Sequence, residues 1–196
     1  MPKSPERCEE IRKETKNRIL RESLLYFARN GFAGTKINDL AKHMGIGKGT
    51  MYLYFESKEA LFAELVKMVG SQDTKPLLIL SKLPINARKK IMMLSEEVLQ
   101  DLDNKPGYAE LIAFNVQLMF EDTENIDSSD TYQSEVYQIL AKIIEQGQKE
   151  GSVVEGNSMK LADYYWGVVY LYALKKLFTT KYEMIDATDL ARTILK

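Results

Sequence analysis

Two short apolar-periodic segments separated by a glycine turn, within Thr35–Phe55, restrict what this chain can fold into more than any other feature. Ile37, Leu40, Ala41 and Met44 recur at the i, i+3, i+4, i+7 spacing of one buried helix face. Gly45 falls where a helix ends in the left-handed conformation, which a residue without Cβ adopts at least cost. Ile46 is a lone apolar residue in the turn, placed to pin two helices together. A second short helix can start from Gly47, with Met51 and Phe55 on its buried side. Lys48, Gly49, Thr50, Tyr52, Leu53 and Tyr54 are left on its other faces. A helix pair joined by a tight glycine turn is a helix-turn-helix, whose second helix enters the DNA major groove. The outward residues suit that role, with a cation, a glycine allowing close approach, and hydroxyls for phosphates or base edges.

From Ile19 to Leu61 the sequence also resembles the DNA-binding signature of the tetracycline-repressor (TetR) family of bacterial regulators. The residues carrying the resemblance are Ile19, Leu20, Phe27, Asn30, Gly31 and Phe32, then Thr35, Asp39, Leu40 and Ala41. The run Gly45 to Tyr52, with Tyr54, Phe55 and Ser57 to Leu61, completes it. The resemblance implies an N-terminal DNA-binding head and a lysine, here Lys58, that contacts a DNA phosphate. It also implies dimerisation through the last two helices. Beyond Leu61 the chain matches that family only in length and helical character, so no ligand follows from it.

Charge is distributed as such a reading requires. The whole chain of 196 residues carries −1, but residues 1–67 hold 13 basic against 9 acidic residues, leaving the remainder net acidic. A basic N-terminal third on an acidic remainder fits a DNA-binding head on a body that avoids DNA. The longest uncharged apolar run, Tyr164–Leu174, is too short to span a bilayer, and no signal-peptide pattern opens the chain, so the expected location is cytoplasmic with no membrane partner. The single cysteine, Cys8, excludes an intramolecular disulfide. It reads as an incidental exposed thiol rather than a redox sensor. The single histidine, His43, has no partner at metal-ligand spacing, and no metal or other cofactor is expected. Gly45 to Thr50 lacks the lysine-then-Ser/Thr order and the preceding strand of a phosphate-binding loop. No enzyme activity is expected.

The remainder reads as helices throughout, giving an all-α fold of about nine helices. Residues 1–56 form the helix-turn-helix domain, with Met1 to about Glu10 a loose polar arm, and residues 57–196 form the effector-binding and dimerisation domain. In the arm and just beyond it, Lys3, Arg7, Arg12 and Lys13 read as a solvated tail more simply than as backbone contacts. A first helix runs from Ile11 to Asn30. Thr35 is an N-cap or a phosphate ligand for the helix Ile37–Met44. Lys48–Tyr54 is the reading helix, and Ser57 caps the helix that follows. Helical segments are expected over Leu77–Leu83, Ile85–Asp103, Tyr108–Phe120, Tyr132–Lys149, Ser158–Phe178 and Ala187–Leu195, with Glu121–Asp130 a loop.

The helix Ser158–Phe178 is apolar or aromatic around its whole circumference over Tyr164–Leu174. A helix of that kind must be covered on every side. A homodimer through the last two helices is therefore expected, with Leu161, Val168, Leu171, Tyr172, Leu190 and Ile194 at the interface. Tyr108, Phe114, Met119, Tyr137, Tyr165, Trp166 and Tyr170 are candidates to line a pocket for an unidentified small-molecule effector, though each also reads as ordinary core. Lys48, Thr50, Tyr52 and Tyr54 are the expected contacts to bases or nearby phosphates of a palindromic double-stranded operator. Thr35, Lys36, Gly49 and Lys58 position the backbone, with Asn38 an outlying candidate. The leading reading is a ligand-responsive DNA-binding repressor. The alternative is a helical small-molecule or partner-binding dimer whose head no longer binds DNA.

Overall fold

The computed structural model describes residues 5–70, 74–120 and 134–196. The chain divides into two compact units, residues 1–72 and 73–196. Every extended element among the described residues is a helix apart from one isolated bridge, and none of these helices is long and apolar enough to cross a membrane.

The first unit holds α1 (Pro5–Asn30), α2 (Ile37–His43), α3 (Lys48–Tyr54) and α4 (Lys58–Gly70). Its core is built from Ile19, Leu24 and Phe27 of α1, Leu40 and Ala41 of α2, Met51 of α3, and Leu61, Phe62 and Leu65 of α4, all buried. Phe27, Phe32 and Phe62 form an aromatic cluster, with Phe32 and Phe62 closest at 4.4 Å between centroids. The turn between α2 and α3 is the glycine-ended stop the sequence announces. Gly45 has φ +67°, its amide donates to Lys42 O, and the Ile46 amide donates to Ala41 O at 3.0 Å. These two bonds satisfy carbonyls that the end of α2 would leave orphaned. Ser57 Oγ accepts from the Ala60 amide at 3.0 Å, so the expected cap of α4 is formed.

Two expectations in this unit are corrected. Pro5–Glu10 is the first part of α1, not a loose arm, while residues 1–4, Lys3 among them, lie outside the described residues. Proline suits a first helical position, and Glu6 favours the positive end of the helix dipole. Thr35 does not cap α2: Lys36 occupies the N-cap without a side-chain bond. The Thr35 hydroxyl instead donates to Gly31 O at 2.6 Å.

The second unit holds α5 (Lys75–Lys82), α6 (Ala87–Asn104), α7 (Tyr108–Phe120), α8 (Glu135–Lys149), α9 (Ser158–Phe178) and α10 (Ala187–Ala191). Ten helices stand among the described residues, and the expected segment Leu77–Leu83 is the helix Lys75–Lys82. The expected loop Glu121–Asp130 lies outside the described residues. Helix α6 starts at Ala87 rather than Ile85, since Asn86 caps it by accepting from the Lys89 amide. Its N-terminus also receives Glu150, whose carboxylate accepts from the Ala87 amide at 2.8 Å. Lys90 is buried, its ammonium donating to Ser81 O at 2.6 Å and to Gln146 Oε1 at 2.8 Å, which joins α5, α6 and α8. Gly147 of α8 permits a very close approach: a Cβ there would stand 2.3 Å from Val153 Cγ2 and 3.0 Å from Ala87 Cβ.

The last helix is shorter than its expected Ala187–Leu195. It stops at Ala191 because the chain beyond it pairs with the connector after α8. The Val154 amide donates to Ile194 O at 3.0 Å, the Lys196 amide donates to Ser152 O, and Val153 bridges Leu195. Residues 192–194 continue as a turn, with the Ile194 and Leu195 amides donating to Ala191 O, and the chain leaves the helical course only at Leu195.

Candidate functional site

Three short elements of the first unit converge on one open concavity of about 290 Å³. The approach to α2 and its first turn contribute Thr35, Lys36, Ile37 and Asn38, α3 contributes Lys48 and Tyr52, and the start of α4 contributes Lys58. Its charged residues are three lysines, with no carboxylate among the lining side chains. The sequence could name these residues, but the positions run from 35 to 58, and only the fold brings them together. Lys48 and Tyr52 stand one turn apart on the same face of α3.

The lysines are held, each in its own way. The Lys58 ammonium donates to Phe32 O at 2.9 Å and lies 4.1 Å from the centre of the Phe32 ring. A cation over an aromatic face is attracted by the ring quadrupole, and a lysine that donates one proton to a carbonyl keeps two for other acceptors. The Lys48 ammonium lies 5.7 Å from the Tyr52 ring centre. Lys36 and Asn38 are exposed beside them. Thr35 lines the same concavity but is 3% exposed, and its single hydroxyl proton is engaged by Gly31 O. It has no proton left to offer a phosphate.

The expected contacts on α3 do not all share one side. Gly49 is exposed, and a Cβ built on it would meet nothing within 4 Å. Thr50 is half-buried. Tyr54, two residues beyond Tyr52 and so about 200° round the helix, lines a different concavity with Cys8, Glu9, Arg12, Lys13 and Lys16 of α1. Leu53, absent from the expected contacts, is 74% exposed on the reading helix. Apolar periodicity does mark Leu53 as off the buried face of Met51 and Phe55; leucine simply carries no polar signal.

In the second unit the aromatic candidates are mostly core. Phe114, Tyr137, Tyr165 and Trp166 are buried, and Tyr108 and Tyr170 are half-buried. The side chain of Met119 lies outside the described residues. Two polar chains run through this apolar region. Ser95 donates to Ile91 O, so the bond to Tyr165 at 3.0 Å has the phenol as donor. Tyr137 donates to Asp163 at 3.3 Å and thereby accepts from Tyr170 at 3.3 Å. Burial, then Asp101 and Glu97, pushes the Tyr108 phenol up to about 12. Burial likewise raises Tyr137, Tyr165 and Tyr170. All four therefore remain neutral donors at any physiological pH. Trp166 Nε1 is buried without an acceptor among the described residues, an arrangement that costs about 1–3 kcal/mol.

Of the expected interface residues, Leu161, Leu190 and Ile194 are buried inside the second unit's own core. Apolar character alone does not say which surface will cover a residue. Val168 and Tyr172 are half-buried and Leu171 is 48% exposed. With Tyr164 and Phe178, which are 58% and 57% exposed, Val168, Leu171 and Lys175 form one row along α9 at helical spacing. Gly167 lies beside it, exposed, with no atom within 4 Å of a built Cβ.

Residues 19–65 match the family described as bacterial regulatory proteins, tetR family. Over 48 residues the chain is 52% identical to the uncharacterized HTH-type transcriptional regulator YerO of Bacillus subtilis (strain 168), covering 24% of this chain and 17% of that protein. It is 34% identical over 94 residues to the uncharacterized HTH-type transcriptional regulator YdgC of the same organism, covering 46% of this chain and 48% of that one. The chain thus spans less than half the length of these relatives. The crystal structure of AibR in complex with isovaleryl coenzyme A and operator DNA superposes with a TM-score of 0.69 at 15% identity, over 90% of this chain and 94% of the other. At that identity the likeness carries the fold alone.

Proposed function

We propose that this chain, whose residues 19–65 match the tetR family of bacterial regulatory proteins, is a ligand-responsive transcriptional regulator, a repressor that binds a palindromic operator as a homodimer and leaves it when a small molecule binds. The concavity of Lys36, Lys48 and Lys58 beside Tyr52 and Asn38 carries this reading. Cations without opposing carboxylates attract a phosphate backbone, and they flank a helix short enough to lie in a major groove. Lys48, Gly49, Thr50 and Tyr52 are assigned to bases or nearby phosphates, with Lys36, Asn38 and Lys58 positioning the backbone. Tyr54 serves from the other side of α3, and Thr35 acts by bracing the turn. Residues 1–56 are assigned to DNA binding and 57–196 to effector binding and dimerisation. This functional division differs from the compact units, which part after Gln72.

The exposed row on α9, apolar apart from Lys175, supports a two-fold interface formed by Tyr164, Val168, Leu171, Tyr172 and Phe178 around Gly167. The aromatic region of the second unit supports an effector that is mainly apolar and carries a hydrogen-bond acceptor, which the Trp166 indole and the neutral Tyr108 phenol would meet. Release requires that this effector bind the DNA-incompetent state more tightly than the competent one.

Selection of duplexes from a random DNA pool by purified protein tests the reading, and a recovered palindrome is the expected result. No enrichment by folded, dimeric protein would favour instead a binding dimer whose head does not engage DNA. Lys58→Ala should weaken binding to all sequences alike. The slope of log affinity against log salt should flatten by about 0.9 for each phosphate no longer neutralised. A Lys58→Ala slope equal to that of the unaltered protein would remove Lys58 from the phosphate contacts.

A further inference from the structure

We propose that the N-terminal part of α1, through Arg12 and Lys13 with Lys16 behind them, is a second phosphate-binding surface that grips the DNA strand opposite the one met by Lys48 and Lys58. The inference rests on the DNA-binding reading and extends it to residues that the sequence assigned to a solvated arm. Three observations carry it.

The segment is helical from Pro5 onward, so its charges are fixed on a rod. Cys8, Arg12 and Lys16 stand four residues apart on one row, with Glu9 and Lys13 on the next. These five side chains and Tyr54 of the reading helix line one open concavity of about 640 Å³. Tyr52 of the same helix lines the other basic concavity, and the two tyrosines point about 200° apart. The reading helix is therefore flanked by cations on both sides.

A helix with its side chains is about 10–12 Å across, and the major groove is about 12 Å wide. A helix seated there has one phosphate rim on each side of it. Surfaces flanking the helix then face opposite rims, and both need positive charge. The α1 surface meets this requirement with Arg12 and Lys13 exposed. Glu9 opposes them, and Lys16 is already paired with Glu64 at 3.1 Å and lies 5.5 Å from the Phe55 ring centre. Lys16 thus anchors α1 to the head, while Arg12 and Lys13 are the groups available to phosphate.

The experiment compares the full chain with the R12A/K13A double variant and with Lys58→Ala, measuring affinity for the selected operator and for random duplex across a salt series. Both altered side chains are exposed, and circular dichroism checks that the fold is kept. The double variant should lose affinity equally for both duplexes. Its salt slope should fall by about 0.9 for each phosphate left without its cation, up to four phosphates in a bound dimer. An unchanged slope for the double variant beside a reduced slope for Lys58→Ala would overturn this proposal and leave the DNA-binding reading intact. Absence of any DNA binding by the unaltered protein would overturn both. The single, exposed cysteine gives an independent measurement at the same surface. Iodoacetate adds a carboxylate to Cys8 and iodoacetamide a neutral amide of similar size. The carboxymethyl form should bind DNA several-fold more weakly than the carbamidomethyl form, most clearly at low salt. Equal binding by the two adducts would overturn the assignment of this surface to phosphate.

Discussion

Replacing Leu171 with glutamate should give a folded monomer whose operator affinity is lower by roughly two to four orders of magnitude. Leu171 sits mid-way along the exposed row of α9 and is 48% exposed, so within one chain the substitution meets solvent and leaves the core untouched. In the proposed dimer the two-fold axis would bring each change in twice, and desolvating unpaired carboxylates in an apolar seam costs several kcal/mol. Once the dimer is lost, the second head no longer binds at the high effective concentration set by the first. Sedimentation velocity and fluorescence anisotropy on one operator would report the two effects. A variant that stays dimeric and binds normally would exclude this row as the interface. Gly167→Ala gives a milder companion. With no neighbour within 4 Å of its Cβ, it should stabilise an isolated chain by about 0.5–1 kcal/mol through helix propensity, while weakening self-association. A thermal melt well below the dimer dissociation constant, set beside sedimentation equilibrium, separates the two.

The second large effect is on stability. Gly147→Val should destabilise the second unit by about 3 kcal/mol or more, because the added atoms must occupy space held by Val153 and Ala87. Val153 is fully buried and bridged to Leu195, so it cannot step aside cheaply. A fall in midpoint temperature of roughly 6–12 °C in calorimetry is expected. A change of less than about 2 °C would mean that α8 and its following connector can separate without cost. The same residue type in two helices is thus predicted to respond in opposite directions, since one glycine is in contact and the other is open.

Several limits of helices were legible because the chain marks them. Lys48–Tyr54, Tyr108–Phe120 and Ser158–Phe178 match their expected bounds. Gly47 precedes the first, Pro106-Gly107 the second, and Asn157 caps the third through the Lys160 amide. The start of α1 was not legible, since a solvated helix without apolar residues has no periodicity to detect. Nor was the end of α10, where pairing with Val154 overrides a pattern that local sequence would continue. Within the candidate site, residue types were readable and their grouping was not. Tyr52 and Tyr54 read as equivalent phenols, but they line different surfaces. Thr35 read as a phosphate ligand or cap, while its proton is directed inward to Gly31. Leu190 and Ile194 carried the right chemistry for an interface, but their own chain already buries them.

The tether of Lys58 to the Phe32 carbonyl and ring has a consequence for the thermodynamics of any anion it meets. A free lysine side chain carries about 2 kcal/mol of rotamer entropy, which a phosphate ordinarily has to quench. Here the ammonium is largely immobilised when the head folds, so that loss falls on folding and not on association. The head meets its partner with this charge already in register, as a rigid template does.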